Sequence, residues 1–283
     1  MNGPDILART MSKPRLLKKA DLRPWQYHPR SDHHSKVACW SVLFDLLSCS
    51  DLLLAHAQAG KIAFGINHQM VDHTNGRRKD LDLVICRPRL QPEEAPAKAP
   101  RTFAAMADEW RIELTTPERE RLSALPDLAE RPAGSILMAL EAKACMTEFA
   151  KARPRLYDEL TSSHSVVHGD TDAAIAVGFV MINGASTFLS PLRHTDVPTR
   201  HDQPLQTQLT IEKIRALPRR ESVGKPGFDA IAAVVVRCAN DAVSPVTIIT
   251  ETAEGAVAPQ DVLHYDTMIN RIIGIYNSRF PVP

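Results

Sequence analysis

No apolar run in this 283-residue chain approaches the roughly 20 residues that a membrane-spanning helix requires, which argues against a membrane partner. The opening stretch MNGPDILARTMSKPRLLKKADLRP is basic, but it lacks a signal peptide's apolar centre and small-residue cleavage site; a cytoplasmic protein is the expectation. Five cysteines are scattered without a C-x-x-C pair, which excludes a zinc ribbon and argues for reduced, buried thiols. There is no G-x-S-x-G elbow, no G-x-G-x-x-G fingerprint and no phosphate-binding P-loop, so acyl-transfer and nucleotide-driven chemistry have no support. Net charge is only +1, which by itself does not mark a polyanion binder. No internal repeat is present.

With 44% apolar and 24% charged residues, the chain has the composition of an ordinary globular protein with a substantial core. Basic residues cluster at 13–19, 77–79 and 215–220. Each cluster is by default a solvated face, but 77–79 lies directly before an acidic strand entry and could hold phosphates there.

Residues 1–30 read as a polar, irregular arm with Trp25 and Tyr27 as anchors. Ser31 and Asp32 are candidate caps for a helix over 36–54, where Val37, Trp40, Leu43, Phe44 and Leu47 recur at helical spacing. A short apolar run at 61–66, an Asn75-Gly76 turn signal and a second run at 81–86 predict a hairpin. Residues 88–134 are rich in proline and alternating charge. They read as a helical insertion with one or two helices, and with a capping box from Thr116 to Arg119 only if arginine stands in for the usual acid. The stretch 135–152 suits one amphipathic helix by propensity, but as a strand it projects Glu141 and Lys143 from one face, and on that chemistry a strand is the expectation. A helix over 147–163, broken or restarted at Pro154, leads to an apolar run at 173–182 that suits a strand buried on both faces. A helix at 209–217, strands at 228–237 and 246–250, and a helix at 261–279 complete a domain running from 31 to 283.

Two segments carry chemistry: Lys79-Asp80-Leu81-Asp82-Leu83-Val84-Ile85 and Leu140-Glu141-Ala142-Lys143. They supply two carboxylates for a hard cation and an amine for phosphate oxygens or water, which is the inventory of metal-dependent phosphodiester hydrolysis. With the order helix, hairpin, acidic strand, Glu-x-Lys strand, helix and buried strand over about 31–183, the chain resembles the PD-(D/E)xK nuclease superfamily. The resemblance implies an α/β, restriction-endonuclease-like central mixed sheet flanked by helices, with the C-terminal part extending it. It also implies a Mg2+-dependent endonuclease acting on DNA in restriction, phage defence or DNA processing, with Mn2+ able to substitute. Asp82 and Glu141 would hold the metal with the Ala142 carbonyl, and Lys143 would be the catalytic lysine. Leu81 stands where the family name has proline, and Asp80 competes with Asp82. Arg77, Arg78 and Lys79 would contact the backbone phosphates. Arg153 and Tyr157 have the spacing of a Gln/Tyr pair that some relatives carry, Asp45 is the acidic candidate on the first helix, and His168 could approach the site. Simultaneous cutting of two strands would require a homodimer or a protein partner in a defence or repair complex; the insertion could be a DNA-facing lobe, a dimer element or a lid.

Two rival readings remain open from the residues. One is a catalytically silent nuclease-like scaffold or DNA-binding subunit. The other is a zinc hydrolase built on His164, His168 and Asp170 with His33, His34 or His73, although Val166-Val167 and Gly169 favour an early helix end and no H-E-x-x-H glutamate is present.

Overall fold

The chain reverses at Gly76, whose φ of +65° suits the tight connection between two antiparallel strands. This hairpin begins the sheet of the computed structural model, which describes residues 1–17, 23–73, 75–89, 100–193 and 196–281. In chain order the elements are α1 (Gly3–Met11), α2 (His33–Cys49), α3 (Asp51–Gln58), β1 (Ala63–Asp72), β2 (Arg77–Pro88), α4 (Phe103–Glu109) and α5 (Thr116–Ala124). They continue with β3 (Ala133–Cys145), α6 (Phe149–Asp170), β4 (Ile175–Asn183), β5 (Thr187–Phe188), β6 (Thr199–Arg200), α7 (Leu205–Arg215), β7 (Ala230–Arg237), β8 (Thr247–Ile248) and α8 (Tyr265–Arg279).

Six strands form one mixed sheet in the order β1-β2-β3-β4-β7-β8. The β1–β2 and β2–β3 pairs are antiparallel, β3–β4 and β4–β7 are parallel, and β8 closes the edge antiparallel. Every residue of β4 is buried, as expected where helices cover both faces of a parallel strand pair. On one face α1, α2, α4 and α8 pack over Phe64, Leu83, Leu140 and Phe179. On the other, α6 and α7 pack over Val84, Ala139, Val180 and Ile231. The fold is thus α/β, a mixed sheet between helices. Among the described residues no single helix is long and apolar enough to cross a membrane.

Residues 133–145 form a strand despite good helix formers, because pairing on both sides buries Leu137, Met138, Ala139 and Leu140. Pro154 does not break α6. It removes one bond near the helix start, while Leu156, Leu160, Val166 and Val167 hold the rest against the sheet. The N-terminal arm is not irregular: α1 has proline in its first turn, and Ile6, Leu7 and Met11 enter the core beside α2.

Within 88–134, residues 90–99 lie outside those described. Phe103, Met106, Trp110, Ile112 and Leu128 join the same core as α1 and α2, and Trp40 stacks on both Phe44 and Phe103. The capping box of α5 is formed by Thr115 and Glu118, one residue earlier than the sequence suggests, so an acid does fill its usual place.

Candidate active site

Asp82 and Glu141 meet because of the β2–β3 register. Leu83 pairs with Leu140; one step beyond on each strand stand Asp82 and Glu141. The ladder ends there, and Asp82 Oδ2 accepts the Ala142 N–H at 2.8 Å in place of a strand carbonyl. Across β2, Asn67 on β1 lies between the paired residues Ile66 and His68 with a φ of +50°. Residues two apart on a strand should share a face, yet Leu83 packs on the α2 side of the sheet and Leu81 on the α6 side. The alternation reverses at Asp82.

Glu141 is 2% exposed. Its Oε1 lies 2.5 Å from Lys143 Nζ and 3.4 Å from Lys79 Nζ, whereas its Oε2 has no hydrogen-bond partner among the described residues. Burial, then the neighbouring Glu141 charge, raises the Asp82 pKa to about 6 against the Ala142 N–H, Lys143 and a hydrogen bond from Ser35. Burial works against the Lys143 ammonium, but Glu141, Asp82 and Glu159 outweigh it and raise the lysine pKa. Lys143 is therefore a held cation, suited to neutralising or orienting an oxygen rather than to taking a proton.

The pair opens on a groove of about 610 Å³ between the start of α2, the first turns of α6 and residues 188–193. Asp82 and Lys143 line it with Lys151, Arg155 and Arg193. Glu148 bonds both Lys151 (3.0 Å) and Arg193 (2.7 Å), while Glu159 holds Arg155 (2.6 Å) and stands 3.6 Å from Lys143.

Several expected residues are elsewhere. Arg77 and Arg78 are exposed at the hairpin end of β2, with Arg77 roughly 17 Å along the strand from Asp82. Lys79 does reach the site, but it is anchored to Glu159 O (2.8 Å) and Ser163 Oγ (2.6 Å) as well as Glu141, so it is not free for phosphate. Asp80 is exposed and accepts from Gln69 at 3.4 Å. Arg153 donates to Gln206 at 2.7 Å and Tyr157 lies under Lys213 at 4.3 Å, so both face α7 and leave the groove to Arg155 and Glu159. Asp45 accepts the Asn2 and Gly3 amides and the Tyr265 hydroxyl, roughly 15 Å along α2 from Ser35.

The histidines do not converge. His168 Nε2 is 2.9 Å from Gly227 O and its Nδ1 is 2.9 Å from Arg220, at the far end of α6. His164 is buried edge-on to Phe228, and His73 is beside Asp170 at 3.4 Å. Among the described residues no group of three or more His, Cys, Asp or Glu converges as metal ligands would; Asp82 and Glu141 are a pair.

Sequence reasoning missed Ser35, Arg155 and Glu159 at this site, and treated His34 only as a zinc candidate. His34 lines the groove, its pKa lowered to about 4 chiefly by burial and then by Lys143. The i, i+4 pair Arg155–Glu159 was a readable signal; the approach of α2 to β2 was not, since it depends on tertiary packing. No family model, curated protein or solved structure matches this chain.

Proposed function

We propose that the chain is a Mg2+-dependent endonuclease that hydrolyses DNA phosphodiester bonds, with a restriction-endonuclease-like fold. The observation that carries this reading is the placement of Asp82, Glu141 and Lys143 side by side on β2 and β3, with Asp82 and Lys143 at the edge of a groove lined by the ion pairs of Lys151, Arg155 and Arg193 with Glu148 and Glu159. The element order from α2 to β4 is the order on which the family resemblance rests.

The donors suit Mg2+, a hard cation that protein sites bind through one or two carboxylates and leave partly hydrated. A buried Glu141 oxygen lacks a partner among the described residues, Asp82 lies beside that carboxylate, and the Ala142 carbonyl is the third candidate oxygen. A bound Mg2+ would supply Lewis-acid polarisation of the scissile phosphate. Lys143 places a fixed positive charge beside the carboxylates, where it neutralises a phosphate oxygen or orients the attacking water. Glu159 and Glu141 keep that ammonium charged and in place. The walls of the groove would carry backbone contacts that position a strand without reading its sequence. Cutting two strands at once adds a homodimer or a partner subunit to the proposal.

The rival is a silent nuclease-like scaffold, which the closure of Lys79 and Lys143 on Glu141 favours, because that ion-pair cluster satisfies part of the charge without a metal. Plasmid and linear DNA incubated with Mg2+, with EDTA, and with Lys143→Ala in parallel separate the two. Mg2+-dependent cutting that falls by about a hundredfold or more in the variant supports the enzyme, given the usual worth of such a charge. Cutting undiminished in Lys143→Ala would place the chemistry elsewhere, and a folded wild-type protein that cuts neither DNA nor RNA would favour the scaffold.

A further inference from the structure

A second cavity, of about 780 Å³, lies between residues 14–17, residues 24–36 and the end of α4. Tyr27 and His34, whose rings are 5.1 Å apart, line both this cavity and the groove. Among the described residues its charge is not balanced. Of the acidic residues lining it, Asp32 is paired with Lys36 at 2.8 Å and Glu109 with Arg101 at 3.1 Å. Arg15 and Arg111 are left facing one space with no acidic partner among the described residues; the Arg15 guanidinium lies 2.7 Å from the His33 ring. Burial first, and then the Arg111 charge, lowers the Arg15 pKa.

Two further features point to a ligand. Arg111 adopts a φ of +52° just past the α4 cap, a place where glycine or asparagine is usual, and that conformation sets its side chain at the cavity. Gln26 and Trp110, each 4% exposed, also line the cavity, and Gln26 Oε1 and Trp110 Nε1 have no hydrogen-bond partner among the described residues. An orphaned acceptor and an orphaned donor suit the edge of a planar heterocycle, with the half-buried Trp25 ring, which carries Arg23 over one face at 4.0 Å, leaving its other face for stacking. Two unpaired guanidinium groups match a phosphoryl oxyanion.

We propose that this cavity binds a nucleotide unit, with its phosphoryl group on Arg15 and Arg111 and its base among Trp25, Gln26 and Trp110. The unit is either a free mononucleotide or one residue of a single strand that passes Tyr27 and His34 from the groove.

Calorimetric titration in EDTA tests this independently of cleavage. The probes are the four nucleoside 5′-monophosphates and a short single-stranded oligonucleotide, applied to wild type, Arg111→Gln, Arg15→Gln/Arg111→Gln and Lys143→Ala. The expected result is saturable binding of at least one probe, with Kd raised about tenfold or more in the double variant; for a mononucleotide the Kd is unchanged in Lys143→Ala, because the cavity does not include that lysine. Saturation by a mononucleotide identifies a free ligand; saturation by the oligonucleotide alone identifies a strand. Arg111 is exposed, so Arg111→Gln leaves the core intact and should by itself weaken binding several-fold. Absence of binding by every probe, or equal Kd values in wild type and Arg111→Gln, overturns the assignment. Loss of cleavage in Lys143→Ala with nucleotide binding retained would leave this proposal standing whatever the fate of the nuclease reading.

Discussion

Replacing Asp82 with asparagine should stabilise the protein above neutral pH while abolishing cleavage. The Asp82 pKa is raised from 3.8 to about 6 by burial first and by Glu141 second. A group whose pKa is higher folded than unfolded adds stability below its unfolded value and loses it as pH rises through the folded value. Here the loss runs between about pH 4 and pH 6. At about 1.36 kcal/mol per unit, the ionised carboxylate costs the folded state about 3 kcal/mol at pH 8, as an upper figure. Asparagine can still accept the Ala142 N–H through its Oδ1 but gives up the attraction to Lys143. The net gain expected for Asp82→Asn is therefore about 1–2 kcal/mol at pH 8, shrinking to nothing near pH 4. Urea denaturation of both proteins from pH 4 to pH 8 measures it, accompanied by a rise of a few degrees in Tm at the upper end. Mg2+ should largely cancel the difference: at ten times its Kd, a bound ion adds about 1.4 kcal/mol to the wild type and little to the variant. An asparagine variant no more stable at pH 8, or equally more stable at both pH values, would refute the account of Asp82 as a strained, desolvated carboxylate.

Other expectations concern the frame that holds the site. Arg220 has a fully buried side chain that binds Asp172 at 2.5 Å, stands 3.7 Å from Asp229 and donates to the Ala174 and Ser222 carbonyls; Arg220→Ala should cost about 2–4 kcal/mol in urea denaturation, because it empties a buried volume and strips those acceptors, while Asp229 keeps Arg279. A Cβ on Gly3 would lie 2.1 Å from the Tyr265 hydroxyl, so Gly3→Ala should displace α1 from Asp45 and lower stability by about 1–3 kcal/mol, read as a fall in Tm.

The hairpin that carries Asp82 was legible because its signals are local: an Asn75-Gly76 turn followed by the apolar run at 81–86. The Glu141 strand was not legible from propensity, which favours a helix there; only the need to project Glu141 and Lys143 together pointed to it. What was not legible depends on distant partners. Helix α1 looked like a polar arm because its apolar face is short and becomes a helix by docking on α2. Pro154 suggested a break, but α6 is held along its whole length by the sheet. Arg153 and Tyr157 have suggestive spacing, yet the rotation of α6 turns them to α7 and brings Arg155 and Glu159 to the groove. Spacing fixes which residues share a helix face, and packing alone decides what that face meets.

The buried Asp45 has a consequence for how the chain acquires its structure. This one carboxylate receives the first amides of α1 and the hydroxyl of Tyr265, which lies 220 positions further along the chain. During N-to-C synthesis the anchor for α1 is therefore incomplete until α8 has emerged. The latch that joins α1, α2 and α8 forms only after a loop of 220 positions has closed, a distant contact whose closure entropy must be met before it adds stability. Until then Ile6, Leu7 and Met11 remain an apolar surface in need of cover.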